Sequence, residues 1–97
     1  MPQSGVKDEV KQRISQYEKG LKFLQKCGTF DLKKFRELNG IIGNMYSEAD
    51  MERQLEDFKS VIPLHGRRGG PDGLKDLLMD TLNKGISTFS ELVNKLS

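Results

Sequence analysis

Apolar residues recur at steps of three and four along most of this chain. Val6, Val10, Ile14, Tyr17, Leu21 and Leu24 form one such stripe. At 3.6 residues per turn that spacing falls on a single helix face. Leu32, Phe35, Leu38 and Ile41/Ile42 form a second stripe, and Met51, Leu55, Phe58, Val61 and Ile62 a third. Leu74, Leu77, Leu78 and Leu82 follow, then Ile86, Phe89, Leu92, Val93 and Leu96. β-Branched residues never run in alternation with polar ones, so the pattern predicts no strand.

The punctuation between stripes sets the expected boundaries. Gly20 interrupts the first stripe, and a mid-helix glycine costs about 1 kcal/mol relative to alanine. The reading is a break near Gly20 followed by a short helix Leu21–Lys26; the alternative is one straight helix. Cys27-Gly28 ends that piece, with Gly28 free to take the left-handed conformation on which helices often stop. Asp31 is placed to cap the next helix, which Gly40 and Gly43 weaken at its end, and Asn44-Met45-Tyr46 reads as a turn. Ser47-Glu48-Ala49-Asp50 reads as a cap with acid in the first turn, where it suits the helix dipole. The acidic helix then runs to about Ser60 or Ile62, and Pro63 stops it. Pro71-Asp72 opens another helix that Lys84-Gly85 closes, and Thr88-Phe89-Ser90-Glu91 matches a capping box for a last one. The expectation is therefore all-α: a compact antiparallel bundle of five to six short helices. Residues 1–5 read as a flexible lead and 6–97 as a single helical interaction domain.

Composition agrees with a folded chain. At 97 residues it is one domain, able to bury roughly two-thirds of its unfolded surface. Charged residues make up 31% and apolar ones 35%, but the apolar ones are evenly spaced, which argues for helices over disorder. The lone Cys27 excludes an internal disulfide and suggests a reducing, cytoplasmic setting. The opening MPQSG has no apolar signal segment, and no run approaches the length of a membrane span.

Catalysis finds little support. His65 and Cys27 are the single residues of their kinds, and nothing in their spacing joins thiol to base. One His and one Cys cannot fill a zinc shell. Carboxylate pairs such as Glu56-Asp57, or Asp76 with Asp80, read as ordinary solvent-facing helix charges. No catalytic residue, metal or cofactor is expected. The corner HGRRGGPDG is glycine-rich, yet it lacks the GxxxxGK[ST] pattern and a preceding strand. It reads as a tight interhelical corner exposing two guanidinium groups, which suit a carboxylate patch on another chain.

Charge distribution points further than total charge. The net is +2, too small to bind nucleic acid by charge alone. Residues 6–28 are net +3 through Lys7, Lys11, Arg13, Lys19, Lys22 and Lys26 against Asp8, Glu9 and Glu18. Residues 47–64 are net −3 through Glu48, Asp50, Glu52, Glu56 and Asp57 against Arg53 and Lys59. The plainer interpretation is two solvated faces that partly neutralise each other. The sharper one is head-to-tail association, the basic face of one copy on the acidic face of the next. Lys11, Lys19, Arg67 and Arg68 are the candidate residues on the basic side, and Glu52, Glu56 and Asp57 on the acidic side. Nucleic acid is the rival partner, through Lys22, Lys26, Lys33, Lys34, Arg67 and Arg68, but no aromatic interleaving is visible in the sequence.

The stretch Leu21–Leu96 resembles a caspase-recruitment domain (CARD) of the death-fold superfamily. The likeness rests on Leu55-Glu56-Asp57-Phe58, the corner Arg67-Arg68-Gly69 with Pro71, Leu74-Lys75-Asp76-Leu77-Leu78, Leu82, Phe89 and Leu92. These are similar to the family's fourth helix, its Arg-Gly-Pro corner, and its fifth and sixth helices. The Gly20 interruption resembles the bent first helix. The resemblance implies a six-helix bundle that docks on domains of its own kind, polymerises, and assembles signalling complexes in apoptosis or innate immunity. In that family a basic surface of the first and fourth helices commonly meets an acidic one of the second and third. Here the acid lies on the helix that would be fourth. A small helical nucleic-acid- or polymerase-cofactor-binding domain is the alternative.

Overall fold

The computed structural model describes residues 2–60 and 69–96, and side chains from Gly5 onward. All its regular structure is helical: α1 (Pro2–Lys26), α2 (Leu32–Ile41), α3 (Glu48–Lys59) and α4 (Gly70–Leu96). Each short helix starts where a side chain can satisfy its free amides. Asp31 caps α2 by accepting from the Lys34 N–H at 2.9 Å, and Ser47 caps α3 by accepting from the Asp50 N–H at 3.1 Å. α2 stops against two left-handed residues, Gly43 (φ 93°) and Asn44 (φ 58°), in the expected turn. α3 ends at Lys59 with Ser60 as its cap. Val61, Ile62, Pro63 and His65 lie outside the described residues.

Two expected boundaries are absent. α1 continues through Gly20, and α4 continues through Lys84-Gly85 and the Thr88–Glu91 box, so the described chain has four helices where five to six were anticipated. Both glycines face side chains of neighbouring elements at close range. A Cβ on Gly20 would stand 2.7 Å from Ile42 Cγ2, and one on Gly85 would stand 2.7 Å from the Tyr17 ring. The missing side chains let α1 lie directly against α2 and α4, so these glycines serve contact and not termination. α1 also starts ahead of its apolar stripe, at Pro2.

The end of α1 is a third departure. Gly28 does not adopt a positive φ. Instead Lys75 of α4 donates from Nζ to the carbonyl oxygens of Cys27 and Gly28, each at 3.1 Å. An ammonium thereby meets the negative end of the helix, where cations are favoured.

α1 and α4 run antiparallel: Cys27 meets Lys75 near the start of α4, while Tyr17 meets Gly85 and Phe89 further along it. α2 packs on α1, and α3 packs on α2 and α4. α1 and α3 do not pack on each other, so they occupy diagonal corners of the bundle. The core is Tyr17, Leu24, Phe30, Phe35, Leu38, Ile42, Met51, Leu74, Leu78 and Leu82. All but Phe30 come from the anticipated stripes. Leu77, anticipated on the buried face, is 46% exposed. Core residues of α1 and α4 stop at Tyr17 and Leu82, so the far ends of these helices project past α2 and α3. The radius of gyration, 15.2 Å, exceeds the roughly 13 Å of a compact chain this long.

One buried polar residue holds the α2–α3 turn. Asn39 donates from Nδ2 to the Tyr46 carbonyl at 2.8 Å and accepts from the Tyr46 N–H at 2.9 Å. Asn39→Ala leaves both backbone groups without these partners and should cost about 2 kcal/mol, measured as a drop in the urea midpoint at constant m.

Candidate functional site

α1 presents a strip of lysines away from the core. Lys11, Lys19, Lys22 and Lys26 fall within roughly 80° of one another at 3.6 residues per turn. All four are exposed and none has a carboxylate in ion-pair range among the described residues. Where α1 meets α2 the strip opens into a shallow recess of about 400 Å³ lined by Lys19, Lys22, Phe23, Lys26, Cys27 and Lys34. Phe23 is half-buried and packs on the core, which makes it a fixed apolar floor among the ammonium groups. Lys34 comes from α2 and is only loosely engaged, 3.6 Å from Glu37.

α3 carries the acid, and much of it is already compensated. Arg36 of α2 donates to Glu48, Arg53 reaches Asp50 at 2.8 Å, and Lys59 reaches Glu56 at 3.1 Å. The hydrogen bond from Arg36 holds the Glu48 carboxyl below its ordinary range and raises the guanidinium pKa in turn. Hydrogen bonds from Ser47 lower Asp50, so Ser47 and Asp50 cap each other. Both carboxyls are held below their unfolded values. Their contribution to stability is therefore present above the ordinary carboxylate pKa and is lost as pH falls through the lowered values. Glu52 and Asp57 have no ion pair among the described residues, and Glu52, Glu56 and Asp57 are all exposed.

The candidate residues thus separate into two groups. Lys11 and Lys19 lie on α1, and Glu52, Glu56 and Asp57 lie on α3 at the diagonal corner. Arg67 and Arg68 lie outside the described residues. Lys22, Lys26 and Lys34, read from sequence as phosphate contacts and the first two also as part of the basic stretch, join Lys19 around one recess, and Phe23 was not singled out. The spacing 19, 22, 26 carried a readable signal for a common face. The approach of Lys34 depends on how α2 folds back and carried none.

Among the described residues no helix is long and apolar enough to cross a membrane, and no group of three or more His, Cys, Asp or Glu could hold a metal ion. Compared with protein-family models, curated proteins and solved structures, the chain matches none.

Proposed function

We propose that this chain is a protein–protein interaction domain that docks on partners of its own kind through opposite charges on opposite sides of the bundle. One observation carries the reading: Lys11, Lys19, Lys22 and Lys26 of α1 have no carboxylate in ion-pair range among the described residues, while α3, diagonally across, exposes Glu52, Glu56 and Asp57. A contact between unlike patches on two copies is heterologous and leaves one patch of each sign free for the next. Charge of this kind steers encounter and sets register more than it tightens binding.

The finer form of the proposal is a caspase-recruitment domain of the death-fold type, assembling signalling complexes of apoptosis or innate immunity in the cytoplasm. Its support is the residue pattern from Leu55 through Leu92, with Arg67 and Arg68 as its candidate basic residues in the corner. The unbroken α1 and α4 depart from a six-helix pattern, and the acid sits on α3, so the coarser interaction reading is the better supported of the two.

Charge exchange tests it. Sedimentation velocity of the wild type should show self-association at about 50 mM salt that fades at about 0.5 M, where screening shortens to a few ångströms. Lys11→Glu with Lys19→Glu, and separately Glu52→Lys, Glu56→Lys and Asp57→Lys together, should each weaken it roughly tenfold or more, about 1.4 kcal/mol. Mixing the two variants should restore association, both through the unaltered α3 of the first on the unaltered α1 of the second and through the contact whose charges are exchanged on both sides. A wild type that stays monomeric at every concentration in low salt would sink the proposal.

A further inference from the structure

We infer that the recess between α1 and α2 is the seat for α3 of a second copy, and that association therefore grows head to tail without closing into a dimer. This rests on the interaction reading above and adds the place of contact, its apolar anchor and its geometry. The recess gathers ammonium groups from two helices around the floor made by Phe23. One wall is held in place, because Lys75 fixes the carbonyls of Cys27 and Gly28 at the end of α1. Four cations over an aromatic surface call for an occupant that brings several carboxylates on a compact body.

α3 has that character. Glu52 and Glu56 stand one turn apart, a rise of about 6 Å, and Lys19, Lys22 and Lys26 span about 10 Å along α1. Glu48 and Asp50 are engaged by Arg36 and Arg53, which leaves the Glu52–Glu56 strip as the side to offer. The Glu56–Lys59 pair is exposed on both partners and exchanges readily for a new ammonium. Phe23 is the rigid apolar anchor that such polar contacts would surround.

The topology then fixes how copies add. A two-fold dimer would need each copy's recess on the other's α3 at once. The recess lies on the α1–α2 seam and α3 packs beyond it on α2 and α4, so recess and α3 are two different patches of one surface. The contact is heterologous and each addition leaves one free recess and one free α3.

Phe23→Ala and Lys34→Glu test the seat with residues outside the charge-exchange set, and Lys33→Glu, on α2 but not lining the recess, is the control. In low salt the wild type should form species beyond a dimer whose size rises with concentration. Phe23→Ala and Lys34→Glu should weaken association roughly tenfold or more with helicity unchanged by circular dichroism, and Lys33→Glu should shift it less than threefold. If Phe23→Ala proves poorly folded, Lys34→Glu decides alone. Full-strength association in Lys34→Glu, while the Lys11/Lys19 reversal abolishes it, keeps the interaction reading and overturns this seat. Growth that stops at a dimer overturns the head-to-tail geometry. A chain that stays monomeric yet binds a single-stranded oligonucleotide, and loses it in Lys34→Glu, assigns the recess to phosphate and overturns both.

Discussion

Phe35→Ala should destabilise the fold by about 3–5 kcal/mol, the usual cost of removing a fully buried aromatic ring. Phe35 is 0% exposed. Its ring lies 5.3 Å from Phe30, tilted by 42°, and 5.4 Å from Tyr46 in an edge contact at 69°. Such pairs add about 0.5–1.5 kcal/mol beyond the area they bury. More than packing is at stake, because Phe30 belongs to the α1–α2 connection and Tyr46 to the α2–α3 turn. One ring from α2 therefore anchors both loops that bring α1 and α3 to their corners. Small domains have about 5–15 kcal/mol in total, so the variant should lose roughly a fifth or more of its stability, read as a lowered urea midpoint. Leu77→Ala is the comparison: at 46% exposure it should fall within about 0.5 kcal/mol of the wild type. Equal losses at the two positions would contradict this placement of the core.

The features legible in the sequence are those made by local chemistry. Asp31 and Ser47 could be read as caps because a short polar side chain answers an amide three residues on, whatever the rest of the chain does. The turn at Gly43-Asn44 follows from the tolerance of those residues for positive φ. Phe30 was not legible, since a single aromatic between Thr29 and Asp31 has no period. Asn39 was not legible either: its role depends on the Tyr46 backbone arriving opposite it, and an asparagine on a helix is usually solvated.

The candidate surface divides in the same way. Segregation of charge along the chain could be counted, and α1 and α3 do sit apart. What a count misses is which charges are spent inside the molecule. Arg36 comes from α2 to engage Glu48, so the acidic side is weaker than its composition suggests. Lys34 crosses to the α1 lysines, so the basic side is more concentrated than the strip alone implies. Both effects arise where elements distant in sequence meet, beyond the reach of spacing within one helix.

The glycines give the sharpest test, because two readings of them predict opposite signs. Alanine at an uncrowded helical glycine gains up to about 1 kcal/mol by propensity. Gly40, where an added Cβ would meet nothing within 4 Å, should show that gain. Gly20 and Gly85 should reverse it. At Gly20 the new methyl would stand 2.7 Å from Ile42 Cγ2, 3.2 Å from Leu82 and 3.3 Å from Leu38, all three of them buried core residues. At Gly85 it would press on the Tyr17 ring at 2.7 and 3.0 Å. That ring has little room to yield, with its hydroxyl donating to Met45 Sδ at 3.1 Å and its centroid 5.7 Å from that of Phe89. Overpacking of this kind costs about 1–3 kcal/mol, enough to overcome the propensity gain. Gly20→Leu and Gly85→Leu should reach the upper end of that range or beyond, with α1 forced away from its neighbours. Thermal unfolding of the alanine set, read against Gly40→Ala, decides the matter. Stabilisation at position 20 or 85 would mean that the helices do not approach there, and the continuous α1–α4 pair on which the diagonal placement of charge depends would be wrong.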